Sequence, residues 1–352
     1  HEMKAALDAA PDSAMIQRSL AQCYKRFGDL EKARYHYEKS LELLPGDSDS
    51  HNELGLLLAN GGRYEEAVSH YQAALQITPE NPLILLNLAY ATIALGDFPG
   101  VVKICKKNLE IRYYQPEVHY QLGMTYSRQG KLHEAVSAFR TAIRYKQDYW
   151  QAHQDLGAVL AMQGEFEEAV SHLRKALELK PGRLDTLMNL AYAKMALGDP
   201  KESAEIYRKV LELKQDYPEA YYRLGTAYAI QGKYPEAVSA FRTAIRLQAG
   251  YWQAYNDLAD ALLSLSHFDE ALEAATKATV LMPSHPMLYL TLAECYAEKN
   301  KDKQAIKALE AAVQKGFSDA GVLREDPHLK RFQGHPEFEK LFDLIGISQK
   351  KS

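Results

Sequence analysis

Cysteine is scarce in this sequence, which has only Cys23, Cys105 and Cys295 in 352 residues. The three lie far apart and at positions where related stretches of the chain carry other packing residues, so a disulfide framework does not explain the fold. No run of 18 apolar residues is present, which excludes a membrane-spanning helix, and no signal peptide is recognisable. The cysteines do not identify the redox compartment of the protein, and the cytoplasm is slightly preferred to the periplasm.

A strong charge of one sign is also lacking. The net charge is −4 and the isoelectric point is near 6.3, and the basic residues are scattered rather than gathered in a stripe. This distribution argues against nucleic acid and anionic membranes as partners. The sequence contains no GxGxxG, GxxxxGK[ST], GxSxG, HExxH or CxxC motif. We therefore expect no enzymatic activity, no cofactor and no metal site.

What the sequence does contain is a pattern with a period of 34 residues. One copy is residues 116–149, PEVHYQLGMTYSRQGKLHEAVSAFRTAIRYKQDY. Its run EAVSAFRTAIR occurs at 134–144 and again at 236–246. A fixed period of this length predicts a solenoid built from repeated supersecondary units.

The pattern resembles the tetratricopeptide repeat (TPR). Each copy has Leu at position 7, Gly or Ala at position 8, mostly small residues at 20 and 27, and a bulky residue at 24 in most copies. Gly occupies position 15 in seven consecutive copies. The resemblance covers residues 14–319 and implies an all-α, right-handed superhelical solenoid of nine helix-turn-helix repeats. The repeats begin at Ala14, Ser48, Pro82, Pro116, Trp150, Leu184, Pro218, Trp252 and Pro286.

The physical chemistry of the pattern agrees with this resemblance. Apolar residues at three- and four-residue spacing predict two amphipathic helices per repeat. A small residue at position 8 lets the two helices cross closely, and the residue at position 24 fills the space beside it. A larger residue at Gly123 or Gly157 is expected to overpack the crossing. Gly at position 15 suits a left-handed residue at the turn.

Both ends of the chain depart from the period. Residues 1–13 are expected to be the second helix of a partial preceding repeat; either the chain is cut from a longer array or Met3 is a native start. The cut is favoured, and an uncapped N-terminal end allows self-association. Residues 320–346 are expected to form a capping segment, with Pro327 and Pro336 each starting a short helix, and residues 347–352 a frayed tail. This ending is similar to that of many bacterial TPR proteins and favours a bacterial source.

A second period of 102 residues is visible. NLAYA occurs at 87–91 and 189–193, and EEAVSH at 65–70 and 167–172. This spacing indicates the duplication of a block of three repeats. Chemistry in the first block is therefore expected to recur in the second.

Six of the twelve histidines occur at two fixed positions of the repeat. His51, His119 and His153 occupy position 4, whereas His36, His70 and His172 occupy position 23. A metal site would need two ligands within coordination reach, and one His per repeat does not provide them. We interpret both sets as packing residues.

In the TPR family, the first helices of the repeats line a concave groove, and positions 2, 5, 9, 12 and 13 face the ligand. Transferred to this sequence, these and the neighbouring position 6 predict a groove with an aromatic, Met-rich centre and charged ends, suited to a peptide. The central residues are Asn87, Tyr90, Tyr120, Met124, Arg128, Met188, Asn189, Tyr192, Met195 and Tyr222. The basic end comprises Arg18, Lys25 and Arg26, and the acidic end Asp257, Asp260, Glu294 and Glu298.

The expected function is a non-enzymatic scaffold that binds an extended peptide or partner protein in this groove. Tyr149, Tyr217 and Tyr251 are instead expected to be wedges between repeats. Glu53 would repel a carboxylate, so the chaperone-tail clamp of some TPR proteins is rejected. The asparagine ladder of glycosyltransferase arrays is incomplete, with only Asn87 and Asn189 matching. The alternative is a substrate-recruiting or regulatory array of a larger enzyme, such as a glycosyltransferase or a secretion or assembly machine.

Overall fold

The computed structural model describes residues 12–349. Within that range the regular structure is entirely helical, with twenty α-helices, one 3₁₀ turn and no strand. The chain divides into two compact units, residues 1–181 and residues 182–352. The all-α TPR fold expected from the sequence is confirmed. Between residues 12 and 349, no helix is both long and apolar enough to cross a membrane.

The first unit contains ten helices in five consecutive pairs. Within each pair the two helices pack together, and each second helix also packs against the first helix of the next pair. The helices are α1 (Ala14–Arg26), α2 (Leu30–Leu43), α3 (Ser48–Asn60), α4 (Tyr64–Ile77), α5 (Pro82–Ala94), α6 (Phe98–Ile111), α7 (Pro116–Arg128), α8 (Leu132–Tyr145), α9 (Trp150–Gln163) and α10 (Phe166–Leu179).

The second unit continues this pattern for four pairs and then changes. Its paired helices are α11 (Leu184–Ala196), α12 (Pro200–Leu213), α13 (Pro218–Ile230), α14 (Tyr234–Leu247), α15 (Trp252–Ser264), α16 (Phe268–Leu281), α17 (Pro286–Glu298) and α18 (Asp302–Gln314). A short helix, α19 (Ala320–Glu325), a 3₁₀ turn at Lys330–Phe332 and a last helix, α20 (Pro336–Gln349), follow.

The turn within each pair depends on one left-handed residue. Glycine at position 15 has a positive φ in the first seven pairs, for example +72° at Gly130 and +85° at Gly164. In the last two pairs Ser266 and Asn300 adopt the same conformation, with φ of 58° and 56°. Because a side chain makes this conformation costly, glycine is the residue that best ends the first helix here.

The helices of a pair cross where the sequence places its smallest residues. A Cβ atom built on Gly123 would lie 2.5 Å from Cδ1 of Phe139, and one built on Gly157 would lie 2.6 Å from Cγ of Leu173. The aromatic ring of Phe139 is almost fully buried. Close approach of the backbone therefore requires glycine, as the sequence pattern indicated.

The C-terminal segment packs on the last pair through an apolar face. Leu329, Phe332, Phe338, Leu341 and Ile345 are buried in one core with residues of α17 and α18. The expectation that a helix begins at Pro327 is wrong. Pro327 instead opens a turn that leads into the 3₁₀ turn at Lys330–Phe332. The short α19 ends before it, at Glu325, and begins at Ala320, where the side chain of Asp319 accepts a hydrogen bond from the amide of Val322 at 3.1 Å.

The last helix extends beyond the predicted end of the cap. It begins at Pro336, as predicted, but runs to Gln349 rather than ending at 346. Residues 1–11, which include most of the predicted partial repeat, and residues 350–352 of the predicted tail lie outside the described residues.

Candidate functional site

The first unit contains a cluster of aromatic side chains on and beside the first helices of adjacent repeats. We call Tyr90, Tyr120, Phe139, Tyr149 and Asp155 the first tyrosine cluster. The Tyr120 hydroxyl donates a hydrogen bond to Oδ2 of Asp155 at 2.7 Å. The Tyr120 ring lies 5.0 Å from the ring of Tyr149 and 5.8 Å from that of Phe139. These contacts fix the orientation of the Tyr120 ring.

Tyr90 is the exposed member of the cluster. Its side chain is 44% exposed, and its hydroxyl interacts with the side chains of Gln121 and Tyr149. Burial raises the pKa of Tyr90, Tyr120 and Tyr149 above its ordinary value. All three phenols are therefore neutral at neutral pH and can donate hydrogen bonds.

The second unit contains an equivalent cluster, with every member 102 residues further along the chain. We call Tyr192, Tyr222, Phe241, Tyr251 and Asp257 the second tyrosine cluster. Tyr222 lies 5.0 Å from Tyr251 and 5.9 Å from Phe241. Burial, followed by an interaction of its hydroxyl with the carboxylate of Asp257, raises the pKa of Tyr222. Tyr192 is 48% exposed. The two clusters thus share residues, spacing and exposure.

The clusters differ at one neighbouring position. Gln121 in the first unit corresponds to Arg223 in the second, whose guanidinium lies 5.7 Å from the Tyr222 ring centroid. Burial raises the pKa of Tyr251 to about 12, although the positive charge of Arg223 opposes this. The first cluster therefore has a neutral amide beside Tyr120, whereas the second has a cation, paired with Glu219 at 3.6 Å, beside the tilted rings of Tyr222 and Tyr251.

Some predicted groove residues have roles within the solenoid. Nδ2 of Asn87 donates to Oδ1 of Asn52 at 2.9 Å, which joins two adjacent repeats. Met124, Met188, Asn189 and Met195 are half-buried, and Arg128 is exposed. Of the predicted wedges, Tyr149 is buried, whereas Tyr217 and Tyr251 are half-buried.

The predicted basic end is largely neutralised by the next repeat. Arg18 forms an ion pair with Asp47 at 2.8 Å and a longer one with Asp49 at 3.3 Å. Lys25 pairs with Glu53 at 2.5 Å. Arg26 is exposed. The positive charge that the sequence pattern suggested for ligand binding is therefore used mainly between repeats.

The predicted acidic end brings several carboxyl groups together in the second unit. Burial, with the negative charges of Asp326 and Asp260, raises the pKa of Glu294 to about 9. Desolvation by the surrounding protein, followed by the negative charge of Asp257, raises the pKa of Asp260 to about 7. The Asp260 residue is nevertheless exposed to solvent.

Two groups at this end were missed by the sequence analysis. Oε1 of Glu298 lies 2.7 Å from Nδ1 of His328, and Asp326 hydrogen-bonds Glu294. Both His328 and Asp326 belong to the C-terminal segment, which lies outside the repeat register. A groove assignment based on repeat positions could not include them.

A recurring contact between adjacent repeats was also missed. Asn52 with Asn87, Tyr120 with Asp155, and Tyr222 with Asp257 each join position 5 of one repeat to position 6 of the next. The spacing of 35 residues is the signal that could have identified these pairs.

Paired helices, glycine at the crossings and left-handed turns define a helical repeat protein. One family model, described as a tetratricopeptide repeat, matches residues 1–48, 120–183 and 256–320, which is half of the chain. Further TPR models match residues 160–228, 57–96, 218–251 and 36–69. The chain belongs to the tetratricopeptide repeat family, and hence to a class of protein-interaction scaffolds.

Solved structures of other proteins are similar to this chain. MamA is 28% identical, with a TM-score of 0.45 over 47% of this chain and 91% of MamA. The C-terminal part of a TPR protein from Cytophaga hutchinsonii is 16% identical, with a TM-score of 0.57 over 67% of this chain and 97% of that one. A chain of the APC/C hetero-tetramer Cut9–Hcn1 is 15% identical, with a TM-score of 0.52 over 94% of this chain and 80% of that one. No curated protein matches the sequence.

Proposed function

We propose that this chain is a non-catalytic scaffold that binds an extended peptide segment of a partner protein on the first helices of its repeats. The observation that carries the proposal is the pair of equivalent tyrosine clusters, each with one tyrosine close to half exposed beside an interacting Tyr–Asp pair. Tyrosine supplies a large contact area with little rotamer freedom to lose, and it is enriched among the residues that dominate binding energy.

Each cluster contains one tyrosine ring that is held in place by its neighbours and one exposed tyrosine that can contact a peptide. The ring of Tyr120 is held by Asp155 and Tyr149, so binding a ligand costs little further ordering. Tyr90 keeps 44% of its surface exposed and is the member that can contact a peptide. The second cluster repeats this division with Tyr222 and Tyr192, so the chain offers two binding sites of similar chemistry.

The charged residues in the second unit favour a partner with basic side chains at one end. The pKa values of Asp257, Asp260 and Glu294 are raised, so a bound basic side chain would lower them and restore the negative charge of these carboxyl groups. Arg18 and Lys25 in the first unit are already paired. Complementary charge of this kind sets orientation and association rate more than affinity. The ligand's basic end is therefore expected to face α15 and α17.

Selection from a displayed library of random peptides tests the proposal. Peptides selected on the wild-type chain are rescreened against a Tyr90→Ala, Tyr192→Ala double variant and a Tyr35→Ala control. Tyr35 is 54% exposed but lies on α2, the second helix of its pair. We expect the double variant to lose the selected peptides and the control to retain them. Retention by both variants would contradict the proposal.

A further inference from the structure

Two histidine pairs in the first unit have the same geometry and lie 102 residues apart. Nδ1 of His51 is 3.0 Å from Nδ1 of His70, and Nδ1 of His153 is 2.9 Å from Nδ1 of His172. The sequence analysis counted one histidine per repeat, because it treated positions 4 and 23 separately. In these two repeats the paired helices bring both positions into contact.

The second nitrogen of each position-4 histidine faces a backbone carbonyl. Nε2 of His51 lies 3.1 Å from the oxygen of Pro45, and Nε2 of His153 lies 3.1 Å from that of Gln147. Since a carbonyl oxygen only accepts hydrogen bonds, both Nε2 atoms carry a hydrogen. In the neutral rings, Nδ1 of His51 and of His153 therefore presents a lone pair to the partner histidine.

The outer nitrogen of His172 faces a carboxylate, since its Nε2 lies 3.5 Å from Oε1 of Glu168. Without a metal, Nδ1–H of His172 donates the 2.9 Å hydrogen bond to the Nδ1 lone pair of His153. A metal ion bound at Nδ1 of His172 would shift that hydrogen to Nε2, on the side of Glu168, so that both Nδ1 atoms become available as ligands.

We propose that the pairs His51–His70 and His153–His172 are binding sites for late divalent transition-metal ions, each held by two Nδ1 atoms. Imidazole nitrogen suits Zn²⁺, Ni²⁺ and Cu²⁺. Metal-binding histidines commonly donate their other N–H to a carbonyl or carboxylate, which is the arrangement of His51, His153 and His172. Metal–nitrogen bonds of about 2.0–2.1 Å at a tetrahedral angle separate the two nitrogens by about 3.3 Å, so the rings need to move apart only slightly.

Water can complete the coordination. No group of three His, Cys, Asp or Glu side chains suited to a metal ion occurs in residues 12–349, so each site supplies two protein ligands. His153 and His172 line an open cleft of about 550 Å³, which gives a hydrated ion access. Burial lowers the pKa of both histidines, which keeps the rings in the neutral form that binds metal.

The chain also contains a matched control. In the first pair of helices, positions 4 and 23 are Gln17 and His36, whose Oε1 and Nδ1 atoms lie 2.7 Å apart. An amide oxygen is a poor ligand for these metals, so this pair should not bind them. It also indicates that glutamine is accommodated opposite histidine, which makes His→Gln the natural test substitution.

Calorimetric titration of the untagged, metal-free chain with NiCl₂ and ZnCl₂ tests the proposal. We expect two ions per chain for the wild type and for His36→Gln, one for His70→Gln or His172→Gln, and none for the double variant. Circular dichroism checks that each variant folds. An unchanged stoichiometry in the double variant, or no binding by the wild type, would overturn the proposal. Each histidine pair would then be only a hydrogen bond between two imidazole rings.

A second measurement needs no substitution. Nitrogen-15 spectra of the wild-type imidazoles, recorded with and without Zn²⁺, should show the Nδ1 resonances of the four histidines shifting while their Nε2 atoms stay protonated. Shifts confined to other histidines would also contradict the proposal.

Discussion

The hydroxyl of Tyr120 reaches across to the next repeat and donates a hydrogen bond of 2.7 Å to Asp155. The equivalent residues Tyr222 and Asp257 also interact. In each case a contact between adjacent first helices holds a tyrosine ring beside an exposed one. The contact thus connects the stability of the solenoid to the shape of the candidate binding surface.

Tyr120→Phe should destabilise the first unit. It removes the donor from a partly buried carboxylate, and such losses cost about 1–3 kcal/mol. Tyr114→Phe is the control, because the Tyr114 side chain is 72% exposed. Urea denaturation followed by circular dichroism gives both free energies of unfolding. Equal stability of the two variants would show that the bond to Asp155 contributes nothing.

Gly123→Ala should also destabilise the chain. The new Cβ would lie 2.5 Å from Phe139, and overpacking of this kind costs about 1–3 kcal/mol. Adding Phe139→Leu should recover part of the loss, since Ala293 and Leu309 occupy the same two positions in the last pair. Gly250→Ala, with no atom within 4 Å of its Cβ, is the control. The free energy of unfolding lost in the double variant should be smaller than the sum of the losses in Gly123→Ala and Phe139→Leu. An equal or larger loss would contradict this account of the crossing.

Ser266→Gly should stabilise the second unit. Ser266 has a φ of 58°, and a left-handed conformation costs a residue with a Cβ about 1–2 kcal/mol. The greater freedom of glycine in the unfolded chain offsets part of this gain. Asn300→Gly should have a smaller effect, because asparagine tolerates this conformation better. A lower thermal midpoint for Ser266→Gly than for the wild type would refute the prediction.

Stability of the second unit should fall as the pH rises from about 6 to 9. The pKa of Glu294 is raised to about 9 by burial and by Asp326 and Asp260, whereas an unfolded Glu titrates near about 4.3. Between these values the folded state keeps a proton that the unfolded state has lost, so a higher pH favours unfolding. Asp260 is solvent-accessible, and the prediction therefore rests on Glu294.

Glu294→Gln removes this titration and should raise the thermal midpoint at pH 9 more than at pH 6. The exposed Glu337→Gln serves as the control. His328 and Glu298 lie 2.7 Å apart at the same end of the unit, and both are unchanged in these variants. A pH dependence that is identical in wild type and Glu294→Gln would exclude Glu294 as its source.

The fold was predictable because each helix pair repeats one local rule. Leu at position 7, a small residue at position 8 and a left-handed residue at position 15 act within a single repeat, where sequence spacing fixes the distance. The capping segment has no such rule. A short helix capped by Asp319 lies at Ala320–Glu325, and Pro327, where a helix was expected, opens a turn.

The candidate site was predictable only in part. Position numbers identified Tyr90 and Tyr192, but not which groups they meet, since those contacts join different repeats. Arg18 and Lys25 carry the charge that the pattern indicated, yet Asp47 and Glu53 of the next repeat neutralise it. The contact of His51 with His70 depends on the packing of two helices whose facing positions the sequence analysis did not compare.

The affinity of one selected peptide for single variants tests the binding account most directly. Fluorescence anisotropy of a labelled peptide would give Kd for the wild type, Tyr90→Ala, Tyr192→Ala and Tyr35→Ala. We expect at least one of the first two variants to weaken binding about tenfold or more, which corresponds to about 1.4 kcal/mol, and Tyr35→Ala to bind like the wild type. Unchanged Kd values for both cluster variants would place peptide binding elsewhere on the chain and contradict the account.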